Sequence, residues 1–358
     1  MKRLKLALVG AGGIAQAHLR AIAAIPEIEV VAIADIISKS AEETAQRFGI
    51  PHVYEDYMEL LAKEDIEAVS VCTYNQAHAA PSIAALEAGK HVLVEKPMSA
   101  TLADAVAMTR AARKSHNILM VALKARYSDT RIAAQKIADS GVLGDIYYGE
   151  SGGFGRLGLP GGSFIEKETA GIGVVGDWGV YSLDATLCLM RHPRPVAVSG
   201  VANNFLGKSY KPIMGARHYG GEFSPELLSV EDFGSAWVRF ENGAVIVFKA
   251  AWISHMSQTG GPFVLGTKAG LKMDPLTLYR HEWGLLTDTT IPNISETEPL
   301  EQFRRENVAF LEAIREGRPS PIPSEQMLLT NVIMQGLVDS AAAGHEIVVE
   351  VPDQAGPC

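Results

Sequence analysis

The strongest constraint on this chain lies at its start, where the apolar run LKLALVG stops at Gly10 and the helix-periodic stretch GGIAQAHLRAIAAI follows. Strand, tight turn and helix in that order, with the turn reading Gly10-Ala11-Gly12-Gly13-Ile14-Ala15, fit the G-x-G-x-x-A pattern of a dinucleotide-binding unit. Gly10 allows the turn, Gly12 lets a pyrophosphate approach the backbone, and Ala15 permits close packing of the helix. Gly10, Gly12, Gly13 and Ile14 are therefore the expected cofactor-binding turn. A second apolar run, VVAIAD, ends in Asp35 about twenty residues further on, where a carboxylate can accept hydrogen bonds from an adenosine ribose. That charge repels a 2′-phosphate, so NAD is the expected cofactor, with NADP still open through Ser38 and Lys39.

The alternation continues through AVSVCT, AHAAPSIAALEAG, HVLVE, ATLADAVAMTRAARKS and ILMVAL. Short strands separated by helices predict an α/β fold with a doubly wound parallel sheet, whose ligands sit beyond the carboxyl ends of the strands. The residues at those ends are Gly10, Asp35, Thr73 to Asn75, and Glu95-Lys96-Pro97. His78 heads the helix after the fourth strand and is read either as a cofactor contact or as a cap. Lys96 has its own bland reading, a solvated residue before a helix capped by Ser99 or Thr101.

Bulk properties narrow the partners. At 358 residues two domains are expected, taken as 1–122 for the dinucleotide-binding domain and 123–358 for a second, substrate-binding and oligomerisation domain, its last helix able to pack back on the first. A net charge of −9 offers no basic stripe, which disfavours nucleic acid and anionic membrane and favours a small molecule. Cys72, Cys188 and Cys358 form neither a disulfide framework nor a CxxC pair, in keeping with a reducing cytoplasm. The basic and apolar opening has the look of a signal peptide, but its glycines assign it to the strand and turn. No HExxH pattern occurs among the ten histidines, RHPRP and SHMSQ carry single ones, and no metal is expected.

Further along, GDWGVYSLD sets Asp177, Tyr181 and Asp184 at i, i+4 and i+7, one stripe of a helix. The glycine-dense GFGRLGLPGGSFIEKETAGIG carries Arg156 and Lys167 and reads as a loop over the crevice rather than a packed element; Arg126, in KARYSD, is a further candidate for substrate contact. SAWVRFENGAVIVFKAAWI reads as a hairpin turning at Glu241-Asn242-Gly243, with both faces of its second strand apolar enough for burial.

VGAGGIA, CTYNQAH, VEKP, GVLGDI, GDWGVYSLD, EDFGSAWVRFENG and FLEAIREGRPSPIP together resemble, in order and spacing, the landmarks of the glucose-fructose oxidoreductase, inositol dehydrogenase and rhizopine-catabolism (Gfo/Idh/MocA) oxidoreductases. The resemblance implies a Rossmann domain followed by an α+β domain on a large, mostly antiparallel sheet. It implies a catalytic Lys96 on a loop shaped by Glu95 and Pro97, a cis Lys96-Pro97 bond, an active-site Asp177, and homodimers or homotetramers formed through the second sheet. Many relatives carry histidine where this chain has Tyr181, while glucose-fructose oxidoreductase and some ketoreductases carry tyrosine. A phenol of pKa about 10 is a poor base, but an ammonium about 4 Å away at an effective dielectric of about 20 favours phenolate by roughly 4 kcal/mol. Tyr181 is thus the expected acid/base, with Asp184 structural. The expected activity is hydride transfer between a secondary alcohol or ketone of a sugar, sugar derivative or cyclitol and nicotinamide, with Lys96, Arg126, Arg156, Lys167, Asp177 and Tyr181 toward the substrate. Two other readings are an NAD-dependent glycoside-cleaving enzyme working by transient sugar oxidation and a non-catalytic nucleotide-binding regulator.

Overall fold

The computed structural model describes residues 2–156, 158–211, 218–256, 261–292, 294 and 296–352. Cys358 lies outside them. The chain divides into two compact units, one gathering the chain up to Tyr127 with Glu298–Leu328, the other Ser128–Thr297 with the chain from Leu329.

In the first unit, elements run β1 (Leu4–Val9), α1 (Gly13–Ile22), β2 (Ile28–Ala34), α2 (Ser38–Phe48), β3 (His52–Tyr54), α3 (Tyr57–Lys63), β4 (Ala68–Val71), α4 (Ala79–Glu87), β5 (His91–Glu95), α5 (Leu102–Ser115) and β6 (Leu119–Ala122). The six strands form one sheet in the order β3-β2-β1-β4-β5-β6, every pairing parallel. Strand order reverses between β1 and β4, the switch point at which such sheets bind ligands. Central strands are buried on both faces, as their continuous apolar sequence requires: β4 and β6 are buried throughout. Thr101 caps α5, its hydroxyl accepting from the Asp104 N–H at 3.1 Å.

The second unit opens with α6 (Asp129–Asp139), followed by β7 (Ile146–Phe154), the single turn α7 (Lys167–Ala170), α8 (Val180–Leu189), β8 (Pro195–Asn203), β9 (Phe233–Phe240), β10 (Val245–Ala251), β11 (Phe263–Gly266), β12 (Ala269–Met273), β13 (Leu276–Glu282) and β14 (Leu285–Thr290). α9 (Pro299–Glu316) returns to the first unit, where it lies against α1, and α10 (Ser324–Ala343) and β15 (Ile347–Val348) complete the chain. Nine strands make one sheet in the order β14-β13-β12-β11-β7-β10-β9-β8-β15, antiparallel except where β7 meets β10. The expected hairpin is β9 and β10, Val247 opposite Trp237 and Phe248 opposite Ala236. Its faces differ: Ile246, Phe248 and Ala250 are fully buried, whereas Val245, Val247 and Lys249 are only half-buried. Among the described residues no helix is long and apolar enough to cross a membrane.

Candidate active site

The glycine turn of the first unit is tightly specified. Gly10 has φ +100°, and a Cβ there would lie 2.5 Å from the Cys72 carbonyl oxygen, so only glycine fits between β1 and β4. Gly12 occupies the N-cap of α1 with no side-chain cap, and a Cβ on Gly12 or Gly13 would meet nothing within 4 Å. Open space over uncapped helix N–H groups is what a pyrophosphate needs, and these residues fit a dinucleotide. The Asp35 carboxylate is pinned beside the turn, accepting from Ala11 N–H at 2.7 Å through Oδ2 and from Ile37 N–H at 2.8 Å through Oδ1. Ile36 and Ile37 are exposed next to it, an apolar surface that sequence reasoning passed over. Ser38 and Lys39 are exposed, and Lys39 pairs with Glu43 at 3.8 Å.

Lys96 and its neighbours are held by a buried relay. The Lys96-Pro97 bond is cis, as the resemblance implies. The Lys96 N–H donates to Glu95 Oε2 at 3.0 Å, and Glu95 Oε1 stands 2.8 Å from His18 Nε2. Asn307 of α9 approaches His18 Nδ1 at 3.2 Å through its amide nitrogen, a donor, so Nδ1 accepts and Nε2 carries the proton given to Glu95. Burial alone would raise the Glu95 pKa, but the His18 hydrogen bond and the positive Lys124 and Lys96 outweigh it and hold the carboxyl below its ordinary range. Neither His18 nor Asn307 was singled out from the sequence. The available signal was a polar residue on an otherwise apolar helix stripe, His18 beside Ala15, Leu19 and Ile22, and Asn307 beside Phe303 and Phe310.

His78 is buried, with Nδ1 at 2.8 Å from the Pro97 carbonyl and Nε2 at 3.2 Å from the Thr73 carbonyl. Burial lowers its pKa against the raising effect of the Pro97 and Thr73 carbonyls, and the ring sits between the loop after β4 and the loop after β5. Thr73 donates its hydroxyl to the Ala77 carbonyl at 3.0 Å, and Asn75 opens a short turn. Arg126, half-buried, donates to Gln326 at 2.8 Å.

In the second unit the reading of Asp177, Tyr181 and Asp184 as one regular helical stripe needs correction. Val175–Gly179 is a π-helical turn that runs into α8, and its wider winding breaks the α-helical register between Asp177 and Tyr181. Asp177 is buried, and its Oδ2 accepts from Trp252 Nε1–H at 3.0 Å and from the Tyr219 hydroxyl. Burial and the adjacent Asp177 carboxylate push the Tyr219 phenol far above its ordinary pKa, so it remains a donor. Tyr181 and Asp184 instead share Arg131, which donates to the Tyr181 carbonyl and lies 3.8 Å from Asp184 Oδ2.

Glu231 fixes the start of the π-helical turn, its Oε1 accepting from Gly173 N–H at 2.8 Å and Val175 N–H at 3.3 Å. Burial raises its carboxyl to about 7 against the lowering effect of those backbone donors. The folded-state pKa lies above the unfolded one, so this contribution to stability is complete below about pH 4.5 and is lost as pH rises through about 7. At most about 3 kcal/mol is involved. Denaturant unfolding from pH 4.5 to 8 is expected to show this decline in the wild type and a shallower one in Glu231→Gln; identical slopes would rule it out.

The glycine-dense segment also departs from expectation: it is packed. Leu159 and Ile165 are fully buried, and a Cβ on Gly161 would lie 2.3 Å from the Glu222 carbonyl oxygen, one on Gly173 2.2 Å from that of Glu231. The glycines are there because two backbones touch. Arg156 and Lys167 are exposed on this segment, Lys167 donating its backbone N–H to Ser229 at 2.8 Å.

Comparison with known proteins gives consistent matches. Residues 4–123 match the GFO/IDH/MocA model described as an oxidoreductase family with an NAD-binding Rossmann fold, and residues 132–272 match the GFO/IDH/MocA C-terminal domain. The chain is 29% identical over 352 residues to D-glucoside 3-dehydrogenase of Escherichia coli strain K12, covering 96% of this chain and 97% of that protein. It is 29% identical over 271 residues to levoglucosan dehydrogenase of Pseudarthrobacter phenanthrenivorans, covering 71% and 69%. A solved structure of levoglucosan dehydrogenase in complex with NADH and L-sorbose superposes with a TM-score of 0.82 at 25% identity, covering 98% of this chain and 100% of that one.

Proposed function

The chain belongs to the Gfo/Idh/MocA oxidoreductase family, and from that premise we propose that it moves a hydride between NAD and a secondary carbinol carbon of a sugar, sugar derivative or cyclitol. The observation that carries this reading is one sheet edge holding the uncapped glycine turn, the pinned Asp35 and the Lys96 loop. D-glucoside 3-dehydrogenase and levoglucosan dehydrogenase, the similar proteins above, support a ring hydroxyl as the reacting group.

When bound, the nicotinamide supplies the hydride acceptor or donor. The chain's own residues handle position and proton. Lys96 presents a cation to the reacting oxygen, and the Tyr181 phenol takes or returns the hydroxyl proton. Asp177, its carboxylate fixed by Tyr219 and Trp252, accepts from a substrate hydroxyl. Arg126, Arg156 and Lys167 are further candidates for substrate contact. The direct test follows NADH formation by its near-ultraviolet absorbance across a panel of sugars, glycosides and cyclitols. Turnover of added NAD with at least one of them is expected, and inertness to all would reject the reading.

Asp35 sets the choice of dinucleotide in this proposal. Asp35→Ala is expected to lower kcat/KM for NAD and raise it for NADP, shifting their ratio by about tenfold or more. An unaltered ratio would remove Asp35 as the discriminator.

The half-buried face of the large sheet is the proposed self-association surface. Trp237 (39% exposed) and Val201 (52%) stand on it beside Val245 and Val247, a row of apolar side chains partly open to water. Trp237→Glu is expected to reduce the sedimenting mass of the wild-type assembly to that of one chain. Unchanged sedimentation would place the interface elsewhere.

A further inference from the structure

No metal centre is expected from the sequence, because His192 stands alone in RHPRP and Cys188 has no CxxC partner. The fold nevertheless gathers three donors of different chemistry at the carboxyl end of α8. Asp184 and Cys188 are one turn apart on the helix, and Cys188 Sγ lies 3.8 Å from Asp184 Oδ1. His192, beyond the helix end, is folded back so that its Nε2 also lies 3.8 Å from Cys188 Sγ. The three ligand atoms all fall within 4.8 Å of one another.

The backbone that does this is unusual. Arg191 (φ +60°) and His192 (φ +53°) are both left-handed, and among the described non-glycine residues they are the one consecutive pair with positive φ. Such residues are disfavoured unless the surroundings hold them. Here the Arg191 N–H donates to the Cys188 carbonyl at 3.0 Å and the His192 N–H to the Leu187 carbonyl at 2.8 Å, reversing the chain over the helix end. The reversal is what brings the imidazole onto the thiol.

We propose that Asp184, Cys188 and His192 form a zinc site, distinct from the proposed hydride-transfer residues. A tetrahedral zinc with bonds of about 2.3 Å to sulfur and about 2.0–2.1 Å to nitrogen and oxygen has donor-to-donor edges of about 3.3–3.6 Å. Both 3.8 Å separations are within a few tenths of an ångström of that edge. One thiolate, one imidazole and one carboxylate suit a borderline-soft divalent ion, with water as the fourth ligand. The carbonyl end of α8 carries partial negative charge, which favours a cation, and with the Arg131 guanidinium on Oδ2 of Asp184 it is Oδ1 that faces the sulfur. Half-burial of Cys188 and His192 leaves a route for the ion. On binding, the Cys188 thiol gives its proton to solvent as the sulfur–zinc bond forms.

The test uses the untagged full-length chain, stripped with chelator and dialysed against zinc chloride or cobalt chloride. One tightly held zinc per chain is expected, together with a near-ultraviolet thiolate-to-cobalt charge-transfer band. Cys188→Ser should abolish the band, and His192→Gln should weaken zinc binding by about tenfold or more. Zinc should also slow alkylation of Cys188 in the wild type, which needs no variant to fold; buried Cys72 is the internal control. Equal alkylation with and without zinc, or a band and stoichiometry that survive Cys188→Ser, would overturn the site.

Discussion

Lys96→Met is expected to lower kcat by about a thousandfold, or about 4 kcal/mol of transition-state stabilisation, while NAD affinity changes only a few-fold. Methionine keeps the length and apolar stem of the side chain and removes its charge. The loop itself should survive, because its anchor is the Lys96 backbone N–H on Glu95, backed by His18 and Asn307, and the substitution removes none of these hydrogen bonds. Steady-state turnover and a titration of NADH fluorescence separate the two effects. A variant with near-normal kcat would reject Lys96 as the catalytic cation; one that no longer binds NAD would show that its role is structural.

Tyr181→Phe removes a single oxygen, and kcat is expected to fall by about a hundredfold or more, the usual contribution of a positioned acid or base. One ionisation should vanish from the pH–rate profile. The Tyr181 carbonyl accepts from Arg131, a contact that phenylalanine retains. The melting temperature of the variant is measured beside its turnover. An unchanged profile would remove the phenol from the mechanism, and a large loss of stability with unchanged kcat would make it a packing residue.

The parts of the site that could be read from the sequence lie where chain order and space coincide. In a parallel sheet each strand delivers its following residue to the same edge, so Gly10, Asp35, Thr73 and Lys96 were legible from strand periodicity and a few glycines. The parts that were not legible are long-range partnerships. Glu95 meets His18 across 77 residues and His18 meets Asn307 across 289, and nothing local in either segment announces the match. Asp177 was visible, but its clamp was not, since Tyr219 and Trp252 come from distant segments. The π-helical turn was hidden for a different reason. Residues of α8 are buried on nearly every side, so a local shift of register leaves no mark in the apolar pattern; in the structure Gly176 lies against Ile172 and Gly179 against Phe248. Glycine density also misled in the opposite direction: around Gly161 and Gly173 it marks backbone contact, which a sequence cannot distinguish from looseness.

The return of α9 to the first unit has a consequence for how the protein is made. Ribosomes deliver a chain from its amino end, and domains ordinarily fold as they emerge. Here the last strand of the amino-terminal sheet ends at Ala122, and the helix that supplies Asn307 to His18 begins only at Pro299. The nascent sheet must wait, with the seat of α9 uncovered, while the whole intervening unit is translated. Completion of the nucleotide half is thereby postponed until the intervening unit has been translated, so a chain cut short before α9 cannot assemble the support beneath Lys96.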